Sequence, residues 1–221
     1  MPPHAPGTYM FTLTVQDGRG GVATDTMRVT IAPQPEVVIF PGVAFDVHGR
    51  WTRVDDATAA FSGRLYYPNL GAPKSAAPAA NPTEYVDIIF PADPTQTYKL
   101  WVRLKADANN WANDSIWLQF DDAIALNGRA YAIGTTSGLA INLEECSGCG
   151  VAGWGWEDDG WGAPNRNGVT LRFREPGMRR LRIQVREDGV SIDQIVLSAV
   201  RYRTTRPGTA KNDTVILEEI R

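Results

Sequence analysis

The chain has 221 residues, with 22 Lys and Arg against 25 Asp and Glu, which gives a formal net charge of −3. A balance so close to neutral provides no basic surface, so we expect neither nucleic acid nor an anionic membrane as a partner. The hydrophobic content of 43% is sufficient for a core, and 21 Gly, 15 Pro and seven Trp are typical of short strands joined by turns. We recognise neither a run of about 18 apolar residues nor a basic-then-apolar leader. The composition predicts an all-β globular protein.

The first part of the chain is predicted to form a β-hairpin. Residues 7–15 alternate apolar and hydroxyl side chains, a turn follows at Asp17-Gly18, and a second alternating run covers 22–31. The string GTYMFTLTVQDGRGGVATDT resembles the C-terminal half of a PKD-type immunoglobulin-like domain, which is common in secreted bacterial proteins. We assign 1–32 to this partial domain. Because an isolated hairpin is marginally stable, we expect it to pack on the main domain, to complete a neighbour's sheet, or to be a severed remnant.

Residues 33–36 are predicted as a linker, because Pro33 and Pro35 disfavour both helix and ladder pairing. For 37–203 the spacing of short apolar runs predicts a jelly-roll-like β-sandwich. Residues 204–221 are assigned to an extended tail with a possible strand at 213–217. The predicted strands of the sandwich lie near 37–40, 44–48, 50–54, 64–67, 84–90, 97–105, 115–121, 130–133, 140–143, 169–174, 179–186 and 190–202.

Four blocks of the sandwich region occur in the order found in carbohydrate-binding modules of families 6 and 35. They are WTRVDDATAAFSG at 51–63, YKLWVR at 98–103, NDSIWL at 113–118 and the closing hairpin at 178–197. Each block alone is a weak signal, but together they frame most of the region and resemble those modules in architecture. The resemblance implies a two-sheet sandwich that binds sugars through aromatic side chains. The partial PKD-type unit at the start of the chain implies an extracellular protein, secreted or at the cell surface, as part of a longer polypeptide or assembly.

The resemblance to families 6 and 35 also implies a structural calcium ion. In place of the family's paired acidic E-x-E strand this chain has Ala44-Phe45-Asp46, which leaves Asp46 and Asp193 as the carboxylates on matching strands. Together with backbone carbonyls, two carboxylates are suitable ligands for Ca2+. The alternative is that Asp193 accepts hydrogen bonds from the opposite strand, and the sequence leaves both interpretations open.

The most unusual segment is the loop at 144–167, which is rich in Gly, Trp and carboxylates. A loop of over twenty residues without secondary structure is typical of a functional segment, and its tryptophans argue against disorder. Trp faces can stack on the C–H face of a pyranose while carboxylates take its hydroxyl groups. The alternative is that some of these Trp cap the sandwich. The candidate ligand-binding residues in the loop are Trp154, Trp156, Trp161, Glu157, Asp158 and Asp159.

Two further features are candidate parts of a site. Cys146 and Cys149 form a C-S-G-C turn that suits a local disulfide, a redox pair or half a metal site; with no nearby His or Cys to complete a zinc site, we favour the disulfide over free thiols. The segment 107–114 offers Trp111 and Asn113 as a second group of ligand-binding candidates, with a self-satisfied turn as the alternative. Trp51, Trp101 and Trp117 lie in strand patterns and are predicted to be core or intersheet residues.

We predict that the protein is not an enzyme. Its two histidines, His4 and His48, are in no Ser-His-Asp or Cys-His pattern, and no Gly-rich phosphate motif opens a helix. Glu157 and Asp159 are the only pair we considered for a glycosidase, and acid clusters on loops are more often solvated. The favoured function is a non-catalytic carbohydrate-binding module for a glycan or polysaccharide. The alternative is a structural subunit of an extracellular fibre or sheath, self-assembled by strand pairing through its terminal segments.

Overall fold

The computed structural model describes residues 7–31, 35–162 and 169–218. Several sequence-based assignments extend beyond these ranges. Outside the described residues lie 1–6 and 32 of the partial domain, 33–34 of the predicted linker, 163–167 of the Trp/Gly loop and 219–221 of the tail.

The described residues form β-strands joined by loops and short 3-10 turns. The strand pairings are antiparallel. The strands are β1 (Gly7–Gln16), β2 (Val22–Ile31), β3 (Glu36–Ile39), β4 (Asp46–Val47), β5 (Thr52–Asp55), β6 (Gly63–Tyr66), β7 (Tyr85–Ala92), β8 (Tyr98–Ala106), β9 (Ser115–Phe120), β10 (Ala123–Ala125), β11 (Leu139–Asn142), β12 (Gly155–Glu157), β13 (Thr170–Phe173), β14 (Gly177–Val185) and β15 (Val190–Ser198).

Two sheets pack face to face and enclose the main core. The larger sheet has the order β10-β13-β8-β15-β6-β5, with β12 added to β8 and β3 added to β15. The smaller sheet has the order β11-β9-β14-β7-β4. Inward side chains of both sheets, such as Leu104, Ile192, Leu118 and Ile183, are fully buried in one hydrophobic cluster. The predicted all-β, jelly-roll-like sandwich is confirmed.

The closing hairpin of β14 and β15 is the best-predicted part of the sandwich. Its turn contains Gly189 with φ of 74°, a left-handed conformation that suits glycine. Every residue of β15 is buried, because this strand pairs along its length with β8 and on its other edge with β3 and β6. A central, doubly covered strand favours apolar residues, as in the run Ile195–Leu197, and the polar residues of β15, such as Asp193 and Gln194, are buried with hydrogen-bond partners.

Some strand predictions are wrong in detail. Residues 130–133 form no strand; only isolated bridges join Ala130 to Ile124 and Ala132 to Phe120. The left-handed Gly128 and Gly134 turn the chain on either side, so no ladder develops there. Strands β10 and β12 were missed, because three-residue strands do not produce a recognisable alternation. The last predicted strand ends at Ser198 rather than at 202, since Ser198 Oγ accepts a hydrogen bond from the Tyr202 amide in a turn.

The C-terminal segment is not the strand predicted at 213–217. Val215 N donates to Asp213 Oδ2 at 3.0 Å and Leu217 N donates to Gln194 Oε1 at 3.0 Å, so side chains, not a ladder, satisfy this backbone. The segment lies on the outer face of the larger sheet. There Trp101, Trp156, Val196 and Tyr202 form a second buried cluster, with Val38 and Leu217 against it.

The predicted N-terminal hairpin is confirmed, because β1 and β2 pair over ten residues each. They form a separate two-stranded sheet, which hydrogen-bonds to no sandwich strand in the part of the chain that the structure describes. The predicted linker ends earlier than expected, since Glu36 is already the first residue of β3.

Candidate functional site

Four connections meet at one end of the sandwich, which we call the loop end: residues 67–75, 107–114, 143–162 and 186–189. Backbone and side-chain hydrogen bonds tie them together. Leu143 N donates to Asp114 O at 3.0 Å, and Asp107 N donates to Gly189 O at 3.0 Å. Leu70 N donates to Asp188 Oδ2 at 2.6 Å. The loop end is therefore an ordered surface rather than a set of independent loops.

Trp111 is the most exposed indole of the described residues, with 64% of its surface accessible. It begins a 3-10 turn, Trp111–Asn113, whose first amides are capped by Asn110: the Asn110 Oδ1 accepts from Ala112 N at 3.0 Å. Asn at this position satisfies an otherwise unpaired donor and fixes the turn. Trp111, a ligand-binding candidate from the sequence, is thus exposed, and its turn also has the self-capped geometry predicted as the alternative.

The turn before Trp111 has a strained backbone. Ala108 and Asn109 have φ of 54° and 51°, in the left-handed region. Asn tolerates this conformation but Ala does so at a cost of about 1–3 kcal/mol, and such costs concentrate at functional sites. Two contacts hold the turn: Tyr66 donates its hydroxyl to Asp107 Oδ2 at 2.6 Å, and Asn109 Oδ1 accepts from Gly153 N at 2.9 Å.

Asn113 is not the exposed ligand contact that we predicted, because its side chain is only 5% accessible. In the amide orientation that satisfies both its ends, it donates to Asp188 O at 3.1 Å and accepts from Asn69 Nδ2 at 2.9 Å. A side chain on Gly189 would collide with this amide. Asn113 therefore joins three of the loops and stabilises the base of the site.

A carboxylate pair is buried at the loop end. Asp114 is inaccessible and Glu187 is 4% accessible. Burial, together with the neighbouring Glu187 carboxylate, raises the pKa of Asp114 to about 8. Lys74 Nζ lies 3.0 Å from Glu187 Oε1 and, with Ser115, keeps the pKa of Glu187 below its ordinary value despite its burial. The opposite directions of the two pKa shifts favour the proton on Asp114 and the charge on Glu187, an arrangement in which the Asp114 carboxyl can donate to Glu187.

Trp154 and Trp156 do not form the predicted sugar platform, because they are 3% and 0% accessible. Residues 155–157 form β12, and Trp156 pairs with Arg103 of β8. Trp154 lies over Arg103, whose guanidinium carbon is 4.9 Å from the ring centroid, and donates its Nε1 proton to Thr58 Oγ1 at 2.9 Å. Gly155 is in contact with the Ala210 carbonyl at a point where no side chain fits. Pairing with β8 turns this part of the loop inward.

The three carboxylates predicted to bind hydroxyl groups are also occupied. Glu157 is 2% accessible, with Arg206 Nη1 3.1 Å from its Oε1; burial outweighs this ion pair and raises the pKa of Glu157 to about 8. Asp158 forms a salt bridge with Lys99. Asp159 is 6% accessible and accepts a hydrogen bond from the Gly160 amide at 2.8 Å. None of the three is an open ligand contact.

Trp161 is the one predicted contact of the Trp/Gly loop that remains accessible, at 39%. Its amide donates to Glu144 O, and the Asn142 side chain donates to its carbonyl. Glu144 N in turn donates to Asp114 Oδ2 at 2.9 Å. Trp161 is thus linked to the segment that carries Trp111, and both indoles belong to the loop end.

Cys146 and Cys149 form the favoured disulfide, and the described residues include no free cysteine. The bridge closes a tight turn in which Cys149 N donates to Cys146 O at 3.0 Å. Glu144 Oε1 accepts from Gly150 N at 3.0 Å, and Lys211 Nζ donates to Cys149 O at 2.7 Å. The turn is anchored on one side to the loop end and on the other to the C-terminal segment.

The residues predicted for calcium do not fit a calcium site. Asp46 is exposed on β4 of the smaller sheet and contacts His48 Nε2 at 2.6 Å. Asp193 is buried on β15 of the larger sheet, where it accepts from Ala60 N at 2.7 Å and pairs with the Arg103 guanidinium. The two carboxylates belong to different sheets, and no group of three or more Asp, Glu, His or Cys suitable for a metal occurs among the residues described.

Sequence reasoning missed the role of Arg103. Its side chain is fully buried, and it pairs with both Asp193 and Asp213, with Arg103 Nε 2.9 Å from Asp213 Oδ2. It also donates to the carbonyls of Thr58 and Asp213. The available signal was the alternation of β8, which places Arg103 on the same outer face as Trp101. The predicted burial of Trp51, Trp101 and Trp117 is confirmed, but only Trp51 lies in the intersheet core.

Comparisons with known proteins give a likeness of fold only. No protein-family model matches the sequence, and no curated protein matches it. The structure is similar to the family 35 carbohydrate binding module from Clostridium thermocellum, at 11% identity and a TM-score of 0.40, covering 73% of this chain and 98% of that one. It is also similar to the Podospora anserina GH26-CBM35 β-(1,4)-mannanase, at 13% identity and 0.44, covering 76% of this chain and 28% of the mannanase.

A third likeness is to the Arthrobacter globiformis T6 isomalto-dextranase, at 12% identity and a TM-score of 0.41, covering 87% of this chain and 32% of the enzyme. Likenesses of this size do not bear on the function. Among the described residues, the structure contains no helix long and apolar enough to cross a membrane.

Proposed function

We propose that the protein is a non-catalytic glycan-binding module whose contact surface is the loop end, centred on Trp111. The observation that carries the proposal is an indole 64% exposed on a turn that is fixed by its Asn110 cap and by the contacts of Asp107 and Asn109 before it. A rigid Trp presents a flat apolar face at little cost in conformational entropy. Such a face suits the C–H groups of a pyranose ring.

Polar groups beside Trp111 complement this apolar face. Asn109 and Asn110 are exposed, and each uses its side-chain oxygen for a backbone amide of the loop end. Their amide nitrogens are donors that can bind sugar hydroxyl groups. One aromatic face with a few oriented polar groups is the usual composition of a small-ligand site. The proposed site therefore depends on segment 107–114 rather than on Trp154 and Trp156.

Trp161 supplies a second aromatic contact in this proposal. It is 39% exposed and is bonded through Glu144 to Asp114, so it belongs to the same end of the sandwich. Two separate indoles suit an oligosaccharide better than a single sugar ring. We therefore expect affinity to increase with chain length.

The burial of the acidic residues supports binding rather than hydrolysis. Glu157 and Asp159 are 2% and 6% accessible, so neither can approach a glycosidic bond from solvent. Glycosidases require two carboxyl groups that flank the bond. The disulfide supports an extracellular location, since disulfides persist mainly in oxidising compartments.

A glycan array probed with the full chain and with Trp111→Ala tests the proposal. For the best-bound glycan, we expect Trp111→Ala to weaken binding at least tenfold, about 1.4 kcal/mol, in a calorimetric titration. Trp161→Ala should cause a smaller loss that grows with glycan length. The stability of Trp111→Ala should be unchanged, because an exposed ring makes few packing contacts.

Leu126→Ala is the matched control, because Leu126 is also an exposed apolar side chain, at 68% accessible, and lies outside the loop end. It should bind like the parent protein. A parent that binds no glycan on the array, or equal affinity for the parent and Trp111→Ala, would overturn the proposal.

A further inference from the structure

The N-terminal hairpin exposes an unusual amount of apolar surface. Among the described residues β1 pairs only with β2. Six of its large apolar side chains are at least 55% accessible: Met10, Phe11, Leu13, Val15, Val22 and Met27. Two-stranded sheets are marginal by themselves, so a partner for this hairpin would be stabilising.

The register sorts the side chains between the two faces. Successive side chains of a strand point to opposite faces, so the odd-numbered residues 9–15 share one face with residues 23, 25, 27 and 29 of β2. Apart from Asp25, this face is apolar. Thr dominates the opposite face. A partner strand must therefore present apolar side chains on the first face and hydroxyl side chains on the second.

The two free edges of the hairpin differ in charge. The ten residues of β1 include no charged side chain and no Pro, whereas β2 contains Asp25 and Arg28. Charged residues and Pro are the features that normally prevent an edge strand from pairing with another chain. The edge of β2 has this protection and the edge of β1 lacks it.

Hydrogen-bond parity shows which groups of β1 face its free edge. Asp17 N donates to Gly21 O at 3.1 Å, so the pair at 17 and 21 is hydrogen-bonded within the hairpin. Hydrogen-bonded and non-hydrogen-bonded pairs alternate along antiparallel strands, which makes residues 9, 11, 13 and 15 the inward-bonded ones. The N–H and C=O groups of residues 8, 10, 12, 14 and 16 consequently point to the free edge.

We propose that β1 pairs, antiparallel, with β1 of a second copy of this chain about a two-fold axis at Thr12. In this register the outward residues 8, 10, 12, 14 and 16 meet residues 16, 14, 12, 10 and 8 of the second copy, so every outward donor finds an acceptor. On the apolar face Tyr9 lies opposite Val15 and Phe11 opposite Leu13. No like charges meet, and a net charge of −3 per chain opposes association only weakly.

The C-terminal segment takes no part in this pairing. Leu217 exchanges hydrogen bonds with Gln194 of its own chain, which donates to Leu217 O at 2.7 Å. Of the two terminal segments considered for assembly by strand pairing, only β1 therefore remains in the proposal. A ten-residue ribbon buries less than a standard interface of about 1,600 Å², so we expect a weak dimer, detectable at roughly 10 μM to 1 mM.

Analytical ultracentrifugation over this range of protein concentration tests the proposed dimer. The full parent chain is compared with its Thr12→Pro and Thr26→Pro variants. Thr12 and Thr26 face each other in the hairpin and both direct their amides outward, so either proline spares the hairpin's own hydrogen bonds. We expect Thr12→Pro to weaken dimerisation at least tenfold and Thr26→Pro to leave it unchanged. Circular dichroism should show that both variants keep the parent fold.

Phe11→Lys and Met27→Lys distinguish pairing by edges from packing by faces. Phe11 and Met27 are cross-strand partners on the apolar face. If both lysine variants are monomeric while Thr12→Pro still dimerises, the copies pack through their faces and the proposal is wrong. A parent that stays monomeric at every concentration also overturns it. Glycan binding should be the same in all four variants, since β1 and β2 form a sheet of their own and none of the proposed glycan contacts lies in them.

Discussion

The two tryptophan-bearing loops of the loop end, 107–114 and 143–162, differ in how far they expose their indoles. Trp111 is 64% accessible, whereas Trp154 and Trp156 are 3% and 0% accessible. In the first loop Asn110 caps the turn that carries Trp111, and residues 107–114 contain no strand. The second contributes β12 to the edge of β8 and is then covered by the C-terminal segment.

This difference teaches that the exposure of a Trp depends on what its backbone pairs with. Trp156 N donates to Thr209 O at 2.9 Å, and Asp213 N donates to Trp154 O at 2.8 Å, so the C-terminal segment binds directly to β12. In this part of the loop, glycine allows close packing against the C-terminal segment rather than contact with a ligand. The shorter loop, 107–114, carries the most exposed indole, that of Trp111.

The largest effect that would sharpen the comparison is expected from Trp156→Ala. Removing a fully buried indole leaves a cavity and should lower the free energy of unfolding by about 3–5 kcal/mol. Trp111→Ala should change it by less than about 0.5 kcal/mol. Urea denaturation of both variants measures the difference. Similar stabilities for the two variants would contradict the assignment of Trp156 to the interior.

A second prediction concerns pH and the carboxylate that joins the two loops. Burial raises the pKa of Asp114 from 3.8 to about 8, so the folded state holds a proton that the unfolded state releases. This contribution to stability is complete below pH 4 and is lost as the pH rises to about 8, with a slope of at most about 1.4 kcal/mol per pH unit for one proton.

Asp114→Asn should reduce that slope, because Asn keeps a donor for Glu187 and an acceptor for Glu144 N but does not titrate in this range. Urea denaturation between pH 4 and pH 9 measures it. Glu157→Gln is the matched variant on the other loop, since the pKa of Glu157 is also raised to about 8 by burial. An unchanged slope in Asp114→Asn would show that Asp114 is ionised in the folded state.

A smaller loss of stability than that of Trp156→Ala is expected at the contact between the loops, where Asn109 Oδ1 accepts from Gly153 N. Asn109→Gly removes this hydrogen bond but suits the left-handed backbone, and Asn109→Ala removes it and adds strain. We expect Asn109→Gly to cost about 1 kcal/mol of stability and Asn109→Ala somewhat more. Thermal unfolding measures both. Equal costs would mean that backbone strain at this turn is negligible.

Much of the fold could be predicted from local patterns, whereas much of the site could not. Alternation and the turn at Gly189 predicted β14 and β15. The local spacing of Cys146 and Cys149 favoured the disulfide that is observed. The prediction that Trp156 contacts a ligand was wrong, because its burial depends on pairing with Arg103, which is distant in sequence. The ion pair of Asp193 with Arg103 is also a long-range contact, so local sequence did not reveal it when Asp193 was proposed as a calcium ligand.

The sequence by itself determined the sandwich class, the N-terminal hairpin and the segments that carry Trp, because turn residues and period-two alternation act over a few neighbouring residues. Only the tertiary structure decided which indoles are exposed and which carboxylates are free. Those properties depend on long-range contacts: the C-terminal segment covers Trp156, and Arg103 binds Asp193 and Asp213. Local sequence contains no record of such contacts, since burial is a property of the assembled layers.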